Sequence, residues 1–341
     1  MILPSPTHAS PSPAPSPVAA PTNTGHSSSE TRRDDRTYAA KRGTFKLQIV
    51  NLLAVTLPFV GLLAVALFFP HHTLHPVHLS VFVVLYLFTG FGVTVGYHRL
   101  FTHKSFETSS FMKWVFGVAG GMAIEGPIRQ WVATHRAHHQ HSDDHLDPHS
   151  PHVHGDTVYS TLAGFIHAHV GWMVSPEPTG LGKYVPDLLK DADVRALTKL
   201  FPLWALLSLA IPSVLGGLLT LTWTGALVGL LWGGLARIFF VHHITWSINS
   251  VCHLWGTRPF RSHDESRNNA FFGVVGMGEG WHNNHHAFPT SARHGLRWWE
   301  IDTSYYLIKL LAALGLVWNV RTPDAQRMAA MASNAAEVPG K

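Results

Sequence analysis

Three groups of histidines in this chain are spaced as metal ligands are: His98-Arg-Leu-Phe-Thr-His103, His135-Arg-Ala-His138-His139 and His282-Asn-Asn-His285-His286. The second and third share one pattern, i, i+3, i+4. On a helix those positions fall within about 100° of one another, so the three imidazoles project from one face. Neutral imidazole suits iron, zinc, copper and nickel, and eight such groups exceed what one ion can use. Two metal ions are the economical reading. The chain has 26 histidines in 341 residues, and His-rich low-complexity tracts can bind metals without structure. One spacing repeated on two distant segments of ordinary complexity argues against both chance and scavenging. His103 lies five residues after His98, about 140° around an ideal helix, so it needs a helix end or bend to join the others.

The elements that must carry these groups are apolar and long. Only 13% of residues are charged and mean hydropathy is +0.11, which excludes an ordinary soluble globule. The net charge of +5 comes without a basic stripe interleaved with aromatics, so no nucleic-acid partner is expected. A single cysteine, Cys252, excludes an internal disulfide and a cysteine-based zinc cage. Uncharged runs predict four transmembrane helices, at about 47–69, 79–97, 200–219 and 223–248. Residues 1–43, rich in Pro, Ser and Thr, read as a disordered tail. Residues 44–320 form the membrane domain, and 321–341 a flexible C-terminal tail. The stretch 305–320 is expected to lie at the membrane interface rather than cross it.

Lys and Arg are missing from 70–78 and 220–225 and abundant elsewhere outside the spans. The positive-inside bias then puts both termini and every histidine box on the cytoplasmic side. From Trp223 to His253 a continuous helix would run about 45 Å, against a hydrocarbon core of about 30 Å. Asn249 and His253 at its far end share a face and reach toward the same surface. Asp143 and Asp147 are candidate acceptors that orient ligand imidazoles. Arg237, inside an apolar run, is expected to snorkel or to face a polar cavity. The fold class is therefore an all-α membrane protein, four transmembrane helices with a cytoplasmic helical cap holding a histidine-ligated metal site. Such a site beside spans that admit an alkyl chain points to oxidation of unactivated C–H bonds. Within the chain no Gly-rich flavin turn, cysteine cluster or haem module supplies electrons, so a separate electron-transfer protein is expected.

The boxes HRLxxH, HRxHH and HxxHH resemble those of integral-membrane fatty-acyl desaturases, most closely the Δ9 acyl-CoA and acyl-lipid branch. Asp147-Pro148-His149-Ser150, His169-Val170-Gly171-Trp172, Asn249-Ser250-Val251-Cys252-His253 and Gly278-Glu279-Gly280-Trp281 are similar to that branch as well. The resemblance runs from about residue 45 to 318. It implies a di-iron centre held by His98, His103, His135, His138, His139, His253, His282, His285 and His286, with Asn249 approaching one metal through water. No catalytic side chain beyond the ligands is implied. It also implies a substrate tunnel bent at Trp131, Thr245 and Trp246. The implied reaction is O2-dependent formation of a cis double bond at carbon 9 of C16 or C18 saturated chains, borne on coenzyme A or a lipid. Electrons come from a ferredoxin, cytochrome b5 or flavoprotein reductase. Zinc replaces iron if the site is mis-loaded, as the Irving–Williams order dictates. The rivals are a di-iron hydroxylase or ketolase and, outside enzymes, a His-rich metal transporter or storage protein.

Overall fold

The computed structural model describes residues 45–152, 155, 157–174 and 180–333. The N-terminal tail, His154 and the last eight residues lie outside the described residues. Helix α1 is Phe45–Phe68, α2 Pro76–Thr102, α3 Ser110–Gly121, α4 Ile128–His141, α5 Val158–His169, α6 Ala192–Lys199, α7 Phe201–Thr220 and α8 Trp223–Leu254. Short helices α9 Ala270–Val275, α10 His282–Ala287, α11 Thr303–Ala313 and α12 Ala325–Met331 follow. Strands β1 Glu107–Thr108 and β2 Val317–Trp318 pair antiparallel, Glu107 opposite Trp318.

Helices α1, α2, α7 and α8 are long and apolar enough to cross a membrane. On α1, Leu52, Leu53, Phe59, Val60 and Leu67 are exposed, as a lipid-facing helix requires. The α7–α8 hairpin packs backbone against backbone: a Cβ on Gly229 would lie 2.1 Å from the Pro212 carbonyl oxygen, so only a residue without one fits. The turn between them is capped by Thr222, whose side chain accepts from the Gly225 amide.

Two of the spans outrun the bilayer at the same end. Helix α8 has 32 residues and α2 has 27, about 48 and 40 Å at 1.5 Å per residue. The second span therefore begins earlier and ends later than the expected 79–97, running from Pro76 to Thr102, and the fourth continues past 248 to Leu254. Within α2 the segment Gly92–Thr102 is a π-helix, closed by bonds from the residue five earlier. The His103 amide donates to the His98 carbonyl at 3.1 Å, continuing that pattern. The wider turn brings residues i and i+5 nearer to one face than an α-helix does, which supplies the departure from α-helical geometry that His98 and His103 need.

Arg237 neither snorkels nor faces a polar cavity. It is fully buried and donates to the carbonyls of Gly233, Met122 and Ser208 at 3.2, 3.1 and 3.2 Å, and to the Ser208 hydroxyl at 2.6 Å. Neutral oxygens from α7, α8 and the residue after α3 replace water, so the guanidinium bonds these elements together.

Over the protruding ends lies the helical cap. Its core is Tyr97, Leu100, Phe101, Phe106, Phe116, Val132, Ala137 and Ile308, from α2, α3, α4 and α11 and the chain between α2 and α3. Helix α11, at 11 residues, is about 16 Å long and too short to cross. It exposes Tyr306 and Leu310, and α5 exposes Val158, Tyr159, Leu162 and Ile166, apolar strips of the kind a helix lying in the membrane surface carries. The segment after residue 321, expected to be a flexible tail, includes α12, and Arg261 donates its amide to the Met331 carbonyl at 2.8 Å. Main-chain bonds to the 259–261 segment, which composition does not signal, hold it there.

Candidate metal centre

Helix α4 follows Pro127, which cannot donate an amide and stands as its N-cap. It presents His135, His138 and His139. The end of α2 supplies His98 and His103, the end of α8 His253, and the short α10 His282, His285 and His286. All nine expected imidazoles converge. They form two clusters in which the ligand atoms lie within 4.8 Å of one another: His98, His103, His135, His139 and His285 in one, and His138, His253, His282 and His286 in the other.

The spacing inside the clusters fits a cation. His98 Nε2 is 3.1 Å from His285 Nε2, His139 Nε2 is 3.1 Å from His135 Nε2 and 2.9 Å from His285 Nε2, and His253 Nε2 is 3.0 Å from His282 Nε2. Imidazole nitrogens bound at right angles to one ion at about 2.1 Å would stand about 3 Å apart. His103 Nε2, His138 Nε2 and His286 Nε2 are buried without a hydrogen-bond partner. Each such atom costs about 1–3 kcal/mol if nothing binds it. The donor set is all nitrogen, suited to first-row transition metals and unsuited to magnesium or calcium.

Protonation is suppressed where ligation needs lone pairs. Burial, then the neighbouring imidazoles, holds His103, His135, His139, His282 and His285 well below the ordinary histidine range. Burial brings His286 down to about 4, against the pull of Asp264. At His138 burial is outweighed by Asp147, which raises it.

Four carboxylates fix the rings from behind. The Nδ1 of His138 lies 2.9 Å from Asp147, that of His253 2.9 Å from Asp143, that of His286 2.5 Å from Asp264, and that of His98 2.5 Å from Glu279. Each acceptor selects the tautomer with its hydrogen on Nδ1 and turns Nε2 inward. Burial would raise Asp147, yet His138 beside it brings it down to about 2. Burial likewise opposes ionisation of Glu279, and Arg99 holds it below the usual range. Asp143 and Asp147 were legible beside the second box. Asp264 sits in a loop with no spacing signal, and Glu279 was visible only as part of the Gly278–Trp281 motif. Arg99, the second letter of the first box, is fully buried and bonds Glu279, Asp302 and the carbonyls of Thr94 and Ala292.

A cavity of about 670 Å³ reaches these clusters, lined by His98, His135 and His282 together with Val93, Val241, Ile244, Ile248 and Met277. Asn249, Trp131, Thr245 and Trp246 line it too. The Trp131 ring stacks on His135 at 5.1 Å, and its Nε1 donates to Glu125 Oε2 at 3.0 Å. Sequence reasoning passed over Glu125. Burial pushes its carboxyl up to about 7, against hydrogen bonds from Thr245 and Trp131. Left-handed backbone on both sides, φ 61° at Ile124 and 107° at Gly126, sets it into the wall. At a β-branched residue such a φ is strained, and strain of this kind gathers at functional sites.

Other histidines lie outside the two clusters, some directly against them. His149 packs 4.4 Å from His138 and His152 Nε2 lies 2.9 Å from the His253 carbonyl oxygen. His72, His75 and His78 group together at the opposite end of the spans. His294, a fully buried imidazole 4.5 Å from His285, had no spacing to announce it.

Residues 75–321 match the family model for fatty acid desaturases. The chain is 40% identical over 281 residues to a hex-5-enoyl-[acyl-carrier protein] acetylenase of Moorena producens (strain JHB), covering 82% of this chain and 88% of the relative. It is 38% identical to an sn-1 stearoyl-lipid 9-desaturase of Anabaena variabilis, covering 79% and 93%, respectively. An acyl-CoA C20 Delta5-desaturase of Anemone leveillei is also 38% identical, with coverage of 78% and 81%.

Proposed function

Because the chain belongs to the fatty acid desaturase family, we propose that it introduces a cis double bond at carbon 9 of saturated C16 or C18 acyl chains. The observation that carries this reading is the apolar cavity with imidazoles from both clusters in its wall. Cavities of several hundred Å³ with few polar groups accept flexible apolar ligands. A pair of iron ions held by the nine histidines would supply the O2-dependent oxidation of an unactivated methylene pair. The protein residues do the rest: Val93, Val241, Ile244 and Ile248 exclude water from the reacting carbons, and the carboxylates hold the hydrogen of the neutral rings on Nδ1 and aim Nε2 inward. Asn249 lines the cavity and would meet one metal through water. Trp131, Thr245 and Trp246 shape the bend that selects the carbon pair. The 9-desaturase relative, matched over 93% of its length, supports position 9.

The Lys and Arg distribution supports a cytoplasmic metal centre and cytoplasmic termini. Electrons arrive from a separate ferredoxin, cytochrome b5 or flavoprotein reductase.

Expression in a host that makes no unsaturated fatty acids, followed by gas chromatography with double-bond location, tests the assignment. Palmitoleate and oleate are expected. Olefins at position 5 or 7 alone would overturn the position, and hydroxylated chains without olefin would overturn desaturation. The acetylenase relative favours one second reading, formation of a triple bond from an existing double bond, and the same chromatography on that host fed an unsaturated fatty acid separates it. Trp246 is buried and lines the cavity. Trp246→Ala is expected to change chain-length or positional preference by several-fold, and an unaltered product profile would remove Trp246 from the tunnel wall.

A further inference from the structure

The two clusters sit in unequal electrostatic surroundings. Three of the four imidazoles in the second cluster are backed by carboxylates: His138 by Asp147, His253 by Asp143 and His286 by Asp264. Their side chains are 0%, 7% and 0% exposed. Among the described residues, none of the three carboxylates pairs with Lys or Arg; their other hydrogen bonds come from backbone amides and serine hydroxyls, and His149 and His263 stand 3.7 and 4.0 Å from Asp147 and Asp264. The formal charge behind this cluster is therefore −3.

Among the described residues, only one of the five imidazoles in the first cluster is so backed, His98 by Glu279. That carboxylate is matched by Arg99, 2.6 Å away, which also pairs with Asp302 at 3.1 Å. Glu279, Asp302 and Arg99 sum to −1. His285 has no carboxylate on its outer nitrogen, which is buried and unpartnered; the ring beside it is the neutral His294. Lys104 and Arg136 lie nearby in sequence and share the single carboxylate of Asp187, which leaves one positive charge on that side.

In a water-excluded interior, negative charge near a bound cation strengthens its binding and favours its higher oxidation state. Outer-shell carboxylates also raise the basicity of the imidazoles they face. We propose that the two metal positions are inequivalent and fill in order, the four-imidazole position first and tightly, the five-imidazole position second and exchangeably. The inference rests on the metal-centre reading above and extends it to loading. It assigns Asp143, Asp147 and Asp264 as positioning residues that act through His253, His138 and His286.

The test is a titration of the metal-free full-length protein in detergent with 57Fe(II) under anaerobic conditions, read by Mössbauer spectroscopy and by metal analysis. One quadrupole doublet is expected up to one equivalent and a second only beyond it. Asp264→Asn is expected to weaken the tighter constant by about 10–100-fold and to bring the two steps together. Glu279→Gln should leave the first equivalent unaltered. If Asp264→Asn does not fold, Asp143→Asn tests the same cluster, and the wild-type titration stands alone in any case. Two doublets growing in parallel from the first addition would overturn the ordering while leaving a two-metal centre in place. A tight constant that falls in Glu279→Gln but not in Asp264→Asn would reverse it. Binding of fewer than two equivalents would sink the metal-centre reading itself.

Discussion

His138→Ala is expected to bring double-bond formation below detection while the protein still accumulates in the membrane. His138 is 1% exposed, with Nδ1 on Asp147 and Nε2 unpartnered toward the second cluster. Substitutions of groups that merely orient a ligand typically cost 10–100-fold in metal affinity or activity, and removing a ligand should cost more. The four apolar helices do not depend on this ring: the α7–α8 hairpin and the Arg237 network hold them together. Product analysis beside a membrane-fraction immunoblot separates the two effects. Turnover at the wild-type rate would remove His138 from the centre. Loss of the protein from the membrane would show that the cap, not only the chemistry, depends on it.

A second large effect is expected at Arg99. The residue is fully enclosed and bonds two buried carboxylates, Glu279 and Asp302. Arg99→Leu would leave both carboxylates buried without a counter-charge, which costs about 3–5 kcal/mol when one partner of a buried pair is removed. The carbonyls of Thr94 and Ala292 lose a donor as well. Asp302 caps α11 by accepting from the Tyr305 amide, so loosening there spreads through the cap. A sharp drop in thermal stability of the purified protein is expected, with metal loss following from the freed Glu279. Arg99→Lys keeps the charge but not the planar fork, and should recover part of the stability. A Leu variant that melts with the wild type would show that the network holds nothing. Arg99 thus explains why the first box carries an arginine beside its histidine: that side chain neutralises the carboxylate which orients the ring.

Much of the candidate centre was legible in the residues. Imidazoles at i, i+3 and i+4 must share a helical face, so the second and third boxes declared themselves without coordinates. Uncharged runs of twenty residues have few stable environments but a bilayer, so the spans did too, to within a few residues at most ends. The resemblance to fatty-acyl desaturases, carried by the box spacings, agrees with the family match over residues 75–321.

What only the tertiary structure decided lies where local periodicity carries no information. His103 joins His98 because Gly92–Thr102 closes as a π-helix, a choice made by packing against α3 and α4 and invisible to an ideal 3.6-residue turn. Asp264 reaches His286 from a loop, and Glu125 reaches Trp131 from a strained one; contacts across such distances are fixed by chain path, not spacing. Arg237 looked like a residue seeking water, but carbonyls from neighbouring elements replace it. Hydrophobic and helical patterns are properties of neighbours along the chain. The charge behind each cluster is a property of neighbours in space, and it took the folded cap to bring three carboxylates to one cluster and a single matched one to the other.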